Sequence, residues 1–208
     1  MKHFLISLMI ALENVAQYYG RVDAFQCLIA SHGKTLNMSM MECFFSNQYA
    51  GRGDLFEGLS IWREEYYRKL QGTYPVIFMS FAGVKTGKIE EMKAVVRQLI
   101  TEVYDQHKNI MKSDRFDDRD RKAFQAVNKE MDDATAYMAI RSLCNYLQIY
   151  YEKKVIILLD EYDTPMHEAW TAGTWDQAAA FFRNFFNNTF KSNSQLYKAI
   201  ITGITRVS

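Results

Sequence analysis

Residues 155–161, Val155-Ile156-Ile157-Leu158-Leu159-Asp160-Glu161, are an apolar run that ends in two acidic residues. A run of β-branched residues and leucine is typical of a central parallel strand that is buried on both faces. Two carboxylates at its end predict negative charge at the carboxyl edge of the sheet, where open α/β folds bind their ligands. As an alternative, these carboxylates are solvated and cap the following turn together with Asp163.

The segments on either side alternate between strand-like and helical patterns, which predicts an α/β fold with a parallel sheet. Further strands are expected over residues 22–30, 76–81 and 199–204. Helices are expected after Thr35 and over residues 61–70, 89–103, 140–151 and 175–190. Residues 51–58 indicate a turn-rich connection. The polar residues 112–133 indicate a solvated helical excursion whose charges compensate one another.

The composition is that of one globular domain, which we expect to span residues 1–208. Hydrophobic residues make up 49% of the chain and charged residues 24%, which excludes a disordered or collagen-like chain. Only 2 prolines and 10 glycines argue against a loop-rich β-sandwich. A net charge of +1 gives no overall field that would attract the chain to nucleic acid or lipid.

Cysteines and targeting signals indicate a cytoplasmic protein. Cys27, Cys43 and Cys144 are odd in number and far apart, which favours reduced thiols over a disulfide framework or a zinc site. No window reaches the length of an apolar membrane span. Residues 4–12 are similar to a short signal-peptide core, but polar residues follow without a cleavage site, so an N-terminal amphipathic helix is favoured.

Gly33-Lys34-Thr35 lies where a predicted strand turns into a helix, a junction that offers free backbone N–H groups to an anion. A lysine there can reach β- and γ-phosphate oxygens, and a threonine hydroxyl can hold Mg²⁺. The full phosphate-loop pattern has a second glycine five residues earlier, where this chain has Leu28. The alternative is an ordinary helix that starts after a glycine.

The acidic pair lies about 125 residues downstream, in the order that a nucleotide site requires. In phosphoryl transfer, Asp160 would hold Mg²⁺ directly or through water. Glu161 would orient or deprotonate the attacking water. Together with Gly33-Lys34-Thr35, the pair favours a nucleotide site over solvated carboxylates.

Residues 199–206 predict a third element of this site. In ATPases with an extra central strand, the strand after the acidic one lies between it and the phosphate-loop strand. Thr202 would then place its hydroxyl between the γ-phosphate and water, and Arg206 would stabilise transition-state charge. The alternative is a strand end with a surface arginine.

Several motifs in series resemble those of the bacterial AAA-ATPase-like family over about residues 33–208. Members are predicted P-loop ATPases that are often fused to a restriction-endonuclease-like nuclease domain. The matching motifs are Gly33-Lys34-Thr35-Leu36-Asn37-Met38-Ser39-Met40, Asp54-Leu55-Phe56-Glu57-Gly58-Leu59, Tyr74-Pro75-Val76-Ile77-Phe78, Leu159-Asp160-Glu161-Tyr162-Asp163-Thr164-Pro165, Phe181-Phe182-Arg183-Asn184-Phe185-Phe186 and Thr202-Gly203-Ile204-Thr205-Arg206-Val207-Ser208.

The resemblance implies a three-layer P-loop NTPase-like fold with a mostly parallel sheet and an extra strand between the phosphate-loop strand and the acidic strand. It implies ATP hydrolysis with Mg²⁺, with Gly33, Lys34 and Thr35 at the phosphates and Asp160 and Glu161 as the Walker B pair. It is compatible with a homo-oligomer. Nucleic acid is expected as a partner only indirectly, through a nuclease-like domain outside this chain, and no membrane partner is expected.

The chain departs from the family pattern at both ends. Members carry an Arg-Pro-Arg-Arg-Phe-like run before the glycine and lysine, and this chain has Leu28-Ile29-Ala30-Ser31-His32. We expect residues 1–32 to be atypical, with an altered start as a hypothesis, and the chain to be a fragment that stops within its last motif.

Two other functions stay open at this point. The first is a degenerate, non-catalytic nucleotide-binding or protein-interaction module, which the altered loop before Gly33 favours. The second is direct nucleic-acid binding through the lysines and arginines of residues 112–129, which the interleaved acids oppose.

Overall fold

The computed structural model describes residues 24–25 and 34–203 of the chain. The strands are β1 (Ala24–Phe25), β2 (Val76–Ser80), β3 (Val155–Asp160) and β4 (Leu196–Ile201). The α-helices are α1 (Lys34–Phe45), α2 (Glu65–Arg68), α3 (Ile89–His107), α4 (Asp118–Ala126), α5 (Asp133–Tyr151), α6 (Thr164–Ala172) and α7 (Trp175–Phe190). Short 3₁₀ helices cover Asn47–Tyr49, Gly53–Phe56, Ser60–Arg63 and Lys108–Lys112.

The strands form a small open sheet in the order β1-β4-β3-β2, and every pair among them is parallel. Three strands have five or six residues, whereas β1 contributes a two-residue pairing at the edge. β4 pairs with β3 on one side and with β1 on the other. The predicted α/β class and the parallel sheet are therefore confirmed.

Helices cover both faces of this sheet, because the side chains of each strand point alternately to opposite faces. Val155, Ile157 and Leu159 of β3 enter a large core with helices α3, α5, α6 and α7. Ile156 and Leu158 enter a second core with α1 and the 3₁₀ segments that follow it. The described residues thus form three layers, and β3 is buried along its whole length.

Helix α1 runs antiparallel to the strands, which fixes the edge that each of its ends occupies. At its C-terminal end, the N–H of Asn47 donates to the Tyr74 carbonyl (2.8 Å) and the N–H of Tyr74 donates to the Phe45 carbonyl (2.9 Å), just before β2 begins. The 12 residues of α1 span about 18 Å, close to the ~20 Å of six-residue β3. The N-terminal end of α1, with Thr35, therefore lies at the carboxyl edge of the sheet.

Two predicted elements differ in the structure, and a third is described only in part. The helix expected over residues 61–70 is split, because Glu64 is extended between the 3₁₀ helix and the single turn of α2. The last strand starts earlier than expected, at Leu196, and ends at Ile201. Of the strand expected over residues 22–30, Ala24 and Phe25 are described as β1, and residues 22–23 and 26–30 lie outside the described residues.

The polar stretch is less solvated than predicted. Its charges are on the surface, but Phe116, Phe124, Val127 and Met131 are buried in the large core. The charge pattern concealed these apolar positions because they are separated by charged runs. Helix α6 was not predicted at all, although Pro165 in its first turn and left-handed Gly173 after its last residue are ordinary helix boundaries.

Candidate functional site

The site is built around Asp160, the last residue of β3, whose side chain is fully buried (0% exposed). One carboxylate oxygen, Oδ1, accepts a short hydrogen bond of 2.5 Å from the Thr202 hydroxyl. The other, Oδ2, is buried and has no hydrogen-bond partner within the described part of the chain. A buried oxygen of this kind costs free energy unless a cation or a donor completes it. The solvated-cap alternative is thus wrong for Asp160.

Glu161 follows with left-handed backbone (φ 51°), a conformation that costs a non-glycine residue about 1–2 kcal/mol. The sharp bend lets the chain leave the sheet at once and start α6 three residues later. The Thr164 N–H donates to the Glu161 carbonyl (3.1 Å), and the Thr164 hydroxyl donates to Glu161 Oε2 (3.3 Å). Among the described residues, one long side-chain hydrogen bond orients the half-buried Glu161 carboxylate.

Thr202 is fixed between the acidic strand and the turn that follows it. Its N–H donates to the Leu159 carbonyl (2.8 Å), and its carbonyl accepts from the Tyr162 N–H (3.1 Å). With both backbone groups bound and 1% exposure, Thr202 is held rigidly with its hydroxyl on Asp160. The end of β4 thus determines how the Asp160 carboxylate is oriented.

Gly203 lies in close contact with the turn after β3. A Cβ atom there would lie 2.7 Å from Asp163 Oδ1 and 2.7 Å from a ring carbon of Tyr162, so no other residue fits without movement. Asp163 is buried (2% exposed), and its Oδ2 lies 3.4 Å from Nε2 of His167. Its side chain makes no capping hydrogen bond to α6, contrary to the capping alternative.

The structure brings three of the predicted site residues, Asp160, Glu161 and Thr202, into one cluster. Thr35 is exposed in the first turn of α1, at the same edge of the sheet. Lys34 is the first residue of that helix. Gly33 and Arg206 lie outside the described residues.

Sequence reasoning missed the packing role of Asp163 and Gly203. Both residues belong to quoted motifs, but a contact between them joins positions 40 residues apart, which no local pattern reveals. Ser80 was missed for the same reason. It lies in register with Asp160 on the neighbouring strand and is half-buried.

The donor set fits a magnesium ion that is shared with phosphates better than a metal held by protein alone. Among residues 24–25 and 34–203, no group of three or more His, Cys, Asp and Glu side chains could hold a metal. Mg²⁺ usually needs only one or two carboxylates, with phosphate oxygens and water completing its shell. Asp160 Oδ2, which has no hydrogen-bond partner among residues 24–25 and 34–203, is suited to such a site.

A parallel sheet covered on both faces, with an acidic pair at its carboxyl edge, defines an α/β protein of the class that binds ligands at its strand ends. The profile of the AAA-ATPase-like family, described as "Predicted AAA-ATPase", matches residues 31–208, and the chain belongs to this family. No curated protein and no solved structure matches the chain. Within the described ranges, no helix is long and apolar enough to cross a membrane.

Proposed function

We propose that the chain binds ATP with Mg²⁺ and hydrolyses it, on a P-loop NTPase-like fold. The main support for the proposal is the buried Asp160 carboxylate, whose Oδ2 lacks a hydrogen-bond partner within the described residues. It lies at the edge of the sheet where the N-terminal end of α1 also lies. Family membership supports a nucleotide as the ligand.

In this proposal, the start of α1 binds the phosphates. Its first backbone N–H groups and the positive end of its dipole favour a negative charge. Gly33 leaves room for close approach, the Lys34 ammonium binds phosphate oxygens, and the exposed Thr35 hydroxyl joins Asp160 as a ligand of Mg²⁺. The metal, when bound, neutralises negative charge on the phosphates.

The acidic turn and the end of β4 supply the groups for hydrolysis. Glu161 orients and deprotonates the attacking water, since within the described part of the chain its carboxylate accepts one long side-chain hydrogen bond. The Thr202 hydroxyl holds Asp160 in position and lies at the same edge. Arg206, four residues further on, supplies positive charge to the transition state.

The Glu161→Gln variant tests the catalytic part of the proposal. It keeps the size and the hydrogen bond to Thr164 but removes the base, so we expect Mg-ATP binding close to wild type and turnover lowered by about 10²-fold or more. Phosphate release and calorimetry measure the two quantities separately. Glu168→Gln on α6 is the matched control and should keep full turnover. Wild-type turnover in Glu161→Gln would remove Glu161 from this role.

A second candidate is a non-catalytic nucleotide-binding or protein-interaction module. It is favoured by residues 28–32, which lack the basic run that family members carry before the glycine. A wild-type chain that binds Mg-ATP but releases phosphate no faster than Glu161→Gln would be such a module. For either function we propose a cytoplasmic location, where ATP and reduced thiols such as Cys43 and Cys144 coexist.

A further inference from the structure

A group of tyrosines lies at the amino edge of the sheet, opposite the proposed nucleotide site. Tyr74 comes just before β2, Tyr150 and Tyr151 end the helix that leads into β3, and Tyr197 is the second residue of β4. Tyr66 joins them from α2. We call these five residues the tyrosine surface.

Contacts between distant segments hold the tyrosine surface together. The rings of Tyr74 and Tyr197 stack with centroids 5.1 Å apart and planes inclined by 16°. Burial, followed by the neighbouring Tyr197 and Tyr66, raises the pKa of Tyr74 to about 12, which is consistent with their proximity. Tyr151 is hydrogen-bonded to Asn47, whose backbone N–H donates to the Tyr74 carbonyl. Tyr150 packs edge-on against Tyr151 at 4.7 Å.

Four of these rings expose much of their area to solvent. Tyr66 is 60% exposed and Tyr197 41%, whereas Tyr150 and Tyr151 are 37% exposed each. Exposed aromatic residues that cluster in this way usually mark a binding surface, because single exposed rings are scattered on ordinary surfaces. Aromatic faces in water are suited to flat partners that stack on them.

Lysines are interleaved with the rings. Lys153 Nζ lies 4.7 Å from the centre of the Tyr74 ring, and Lys198 Nζ lies 5.7 Å from that of Tyr197. Lys154 is exposed beside Lys153.

Two nearby acids among the described residues form ion pairs. Glu65 pairs with Lys69 at 2.8 Å, and Glu152 pairs with Arg115 at 2.6 Å. With these two acids paired, the exposed Lys153 and Lys154 add positive charge to the tyrosine surface.

We propose that the tyrosine surface binds single-stranded nucleic acid, with Tyr66 and Tyr197 stacking on bases and Lys153, Lys154 and Lys198 contacting phosphates. Exposed aromatic faces set among lysines are the combination that binds single strands without sequence preference, because every base has a π-face and every nucleotide a phosphate. An acidic peptide would match the lysines but would leave the exposed rings without a role.

The basic residues of the 112–129 segment provide a contrast on the same molecule. Asp117, Asp118 and Asp120 lie among them, and the Arg121 guanidinium is bound to Asp118 and to the Met111 and Ser113 carbonyls. The two aromatic residues of this segment, at positions 116 and 124, are buried. Four aspartates are interleaved with its six basic residues and it has no exposed ring, so its lysines serve as matched controls.

The first test is the salt dependence of binding to fluorescently labelled oligo-dT of about 20 nucleotides, measured by anisotropy on the full chain. Each lost phosphate contact lowers the slope of log K against log salt by about 0.7 for single strands, so Lys153→Gln/Lys154→Gln should lower it by about 1.4. Lys122→Gln/Lys129→Gln should leave it unchanged. No saturable binding by wild type at low salt, or an equal change in both double variants, would overturn the proposal.

The second test separates stacking from general attraction to polyanions. Tyr66→Ala/Tyr197→Ala should weaken oligo-dT binding roughly tenfold or more, whereas Tyr66→Phe/Tyr197→Phe keeps the rings and should bind within about twofold of wild type. Trp170→Ala removes a 73% exposed ring elsewhere and should have no effect. Equal losses of oligo-dT affinity in the alanine and phenylalanine variants would contradict the proposed stacking. Displacement by polyglutamate that is as effective as displacement by unlabelled oligo-dT would contradict it as well. A dimer that the alanine variant dissociates, without binding of oligo-dT, would assign the surface to self-association instead.

Discussion

At the scale of single residues, Asp160 is the position on which the proposed function depends most. Strand β3 is so apolar that its burial forces the terminal carboxylate into the protein as well. The hydroxyl of Thr202 donates a hydrogen bond to one oxygen, and the other has no partner among the residues that the structure describes. A charge that is half satisfied in this way is unstable alone and becomes more stable when a cation binds.

Thr202→Val should destabilise the fold, because it removes the donor to Asp160 and leaves Oδ1 buried without a partner. We expect a loss of about 1–3 kcal/mol in the free energy of unfolding, measured by urea denaturation without nucleotide. Thr202→Ser keeps the hydroxyl, so its free energy of unfolding should fall by less. A Thr202→Val variant as stable as wild type would show that the hydrogen bond contributes nothing to the fold.

His107 is buried at the end of α3. Burial lowers its pKa from the ordinary 6.5 to about 4, although a hydrogen bond with the Val76 backbone acts in the opposite direction. Between these values the unfolded chain binds a proton that the folded chain does not, so stability is lost as the pH falls from about 6.5 toward 4.

This lowering of the His107 pKa corresponds to a loss of about 2 kcal/mol in the free energy of unfolding as the pH falls from 7.5 to 5. His107→Gln should not show this pH-dependent loss. Urea denaturation of both proteins across this range measures the difference. Parallel pH dependence in wild type and variant would contradict the assignment to His107.

At the scale of elements, the site depends on how α6 is held after the acidic turn. The C-terminal end of α6 packs on the loop between β2 and α3, where a Cβ at Gly87 would lie 2.1 Å from the Cβ of Ala172. The hydroxyl of Thr174 also donates to the Gly87 carbonyl (2.7 Å). The loop therefore anchors the helix that begins beside Glu161.

Gly87→Ala should force these two elements apart, at a cost of about 1–3 kcal/mol in stability. Gly83→Ala in the same loop is the control, because no atom lies within 4 Å of its added Cβ. Thermal unfolding of the two variants compares the sites directly. Equal melting temperatures would mean that α6 is not held tightly at Gly87.

The elements also show what sequence reasoning can and cannot reach. The run from Val155 to Leu159 predicted a buried strand because five adjacent apolar residues fit few other environments, and β3 confirms it. The helix after Thr35 could also be predicted from the sequence, since Met38, Met41 and Phe44 repeat at helical spacing. The break at Glu64 in the helix expected over residues 61–70 could not be predicted, because tertiary packing rather than local sequence decides where a short helix is interrupted.

In the site, too, local features could be predicted from the sequence, whereas contacts between distant residues could not. The type and position of Asp160 and Glu161 could be predicted, because a strand end is a local feature. The hydrogen bond from Thr202 to Asp160 joins residues 42 positions apart and follows from the strand order, which no local pattern encodes. The left-handed backbone of Glu161 likewise results from the three-dimensional turn rather than from a glycine.

At the scale of the whole molecule, the two edges of the sheet have different characters. The carboxyl edge holds Asp160, Glu161 and the start of α1, whereas the amino edge holds the tyrosine surface. Because β3 connects the two edges directly, a ligand at one edge contacts the same strands as a ligand at the other. The proposed ATP site and the proposed nucleic-acid surface are therefore physically connected through the sheet.

Calorimetric titration of the full chain with ATP, in the presence and absence of Mg²⁺, tests the proposed nucleotide site in wild type and Lys34→Ala. We expect saturable binding by wild type that weakens when Mg²⁺ is withheld, and no measurable binding by Lys34→Ala. Equal affinity in the two proteins, or wild-type binding that is unaffected by Mg²⁺, would contradict the proposed nucleotide site.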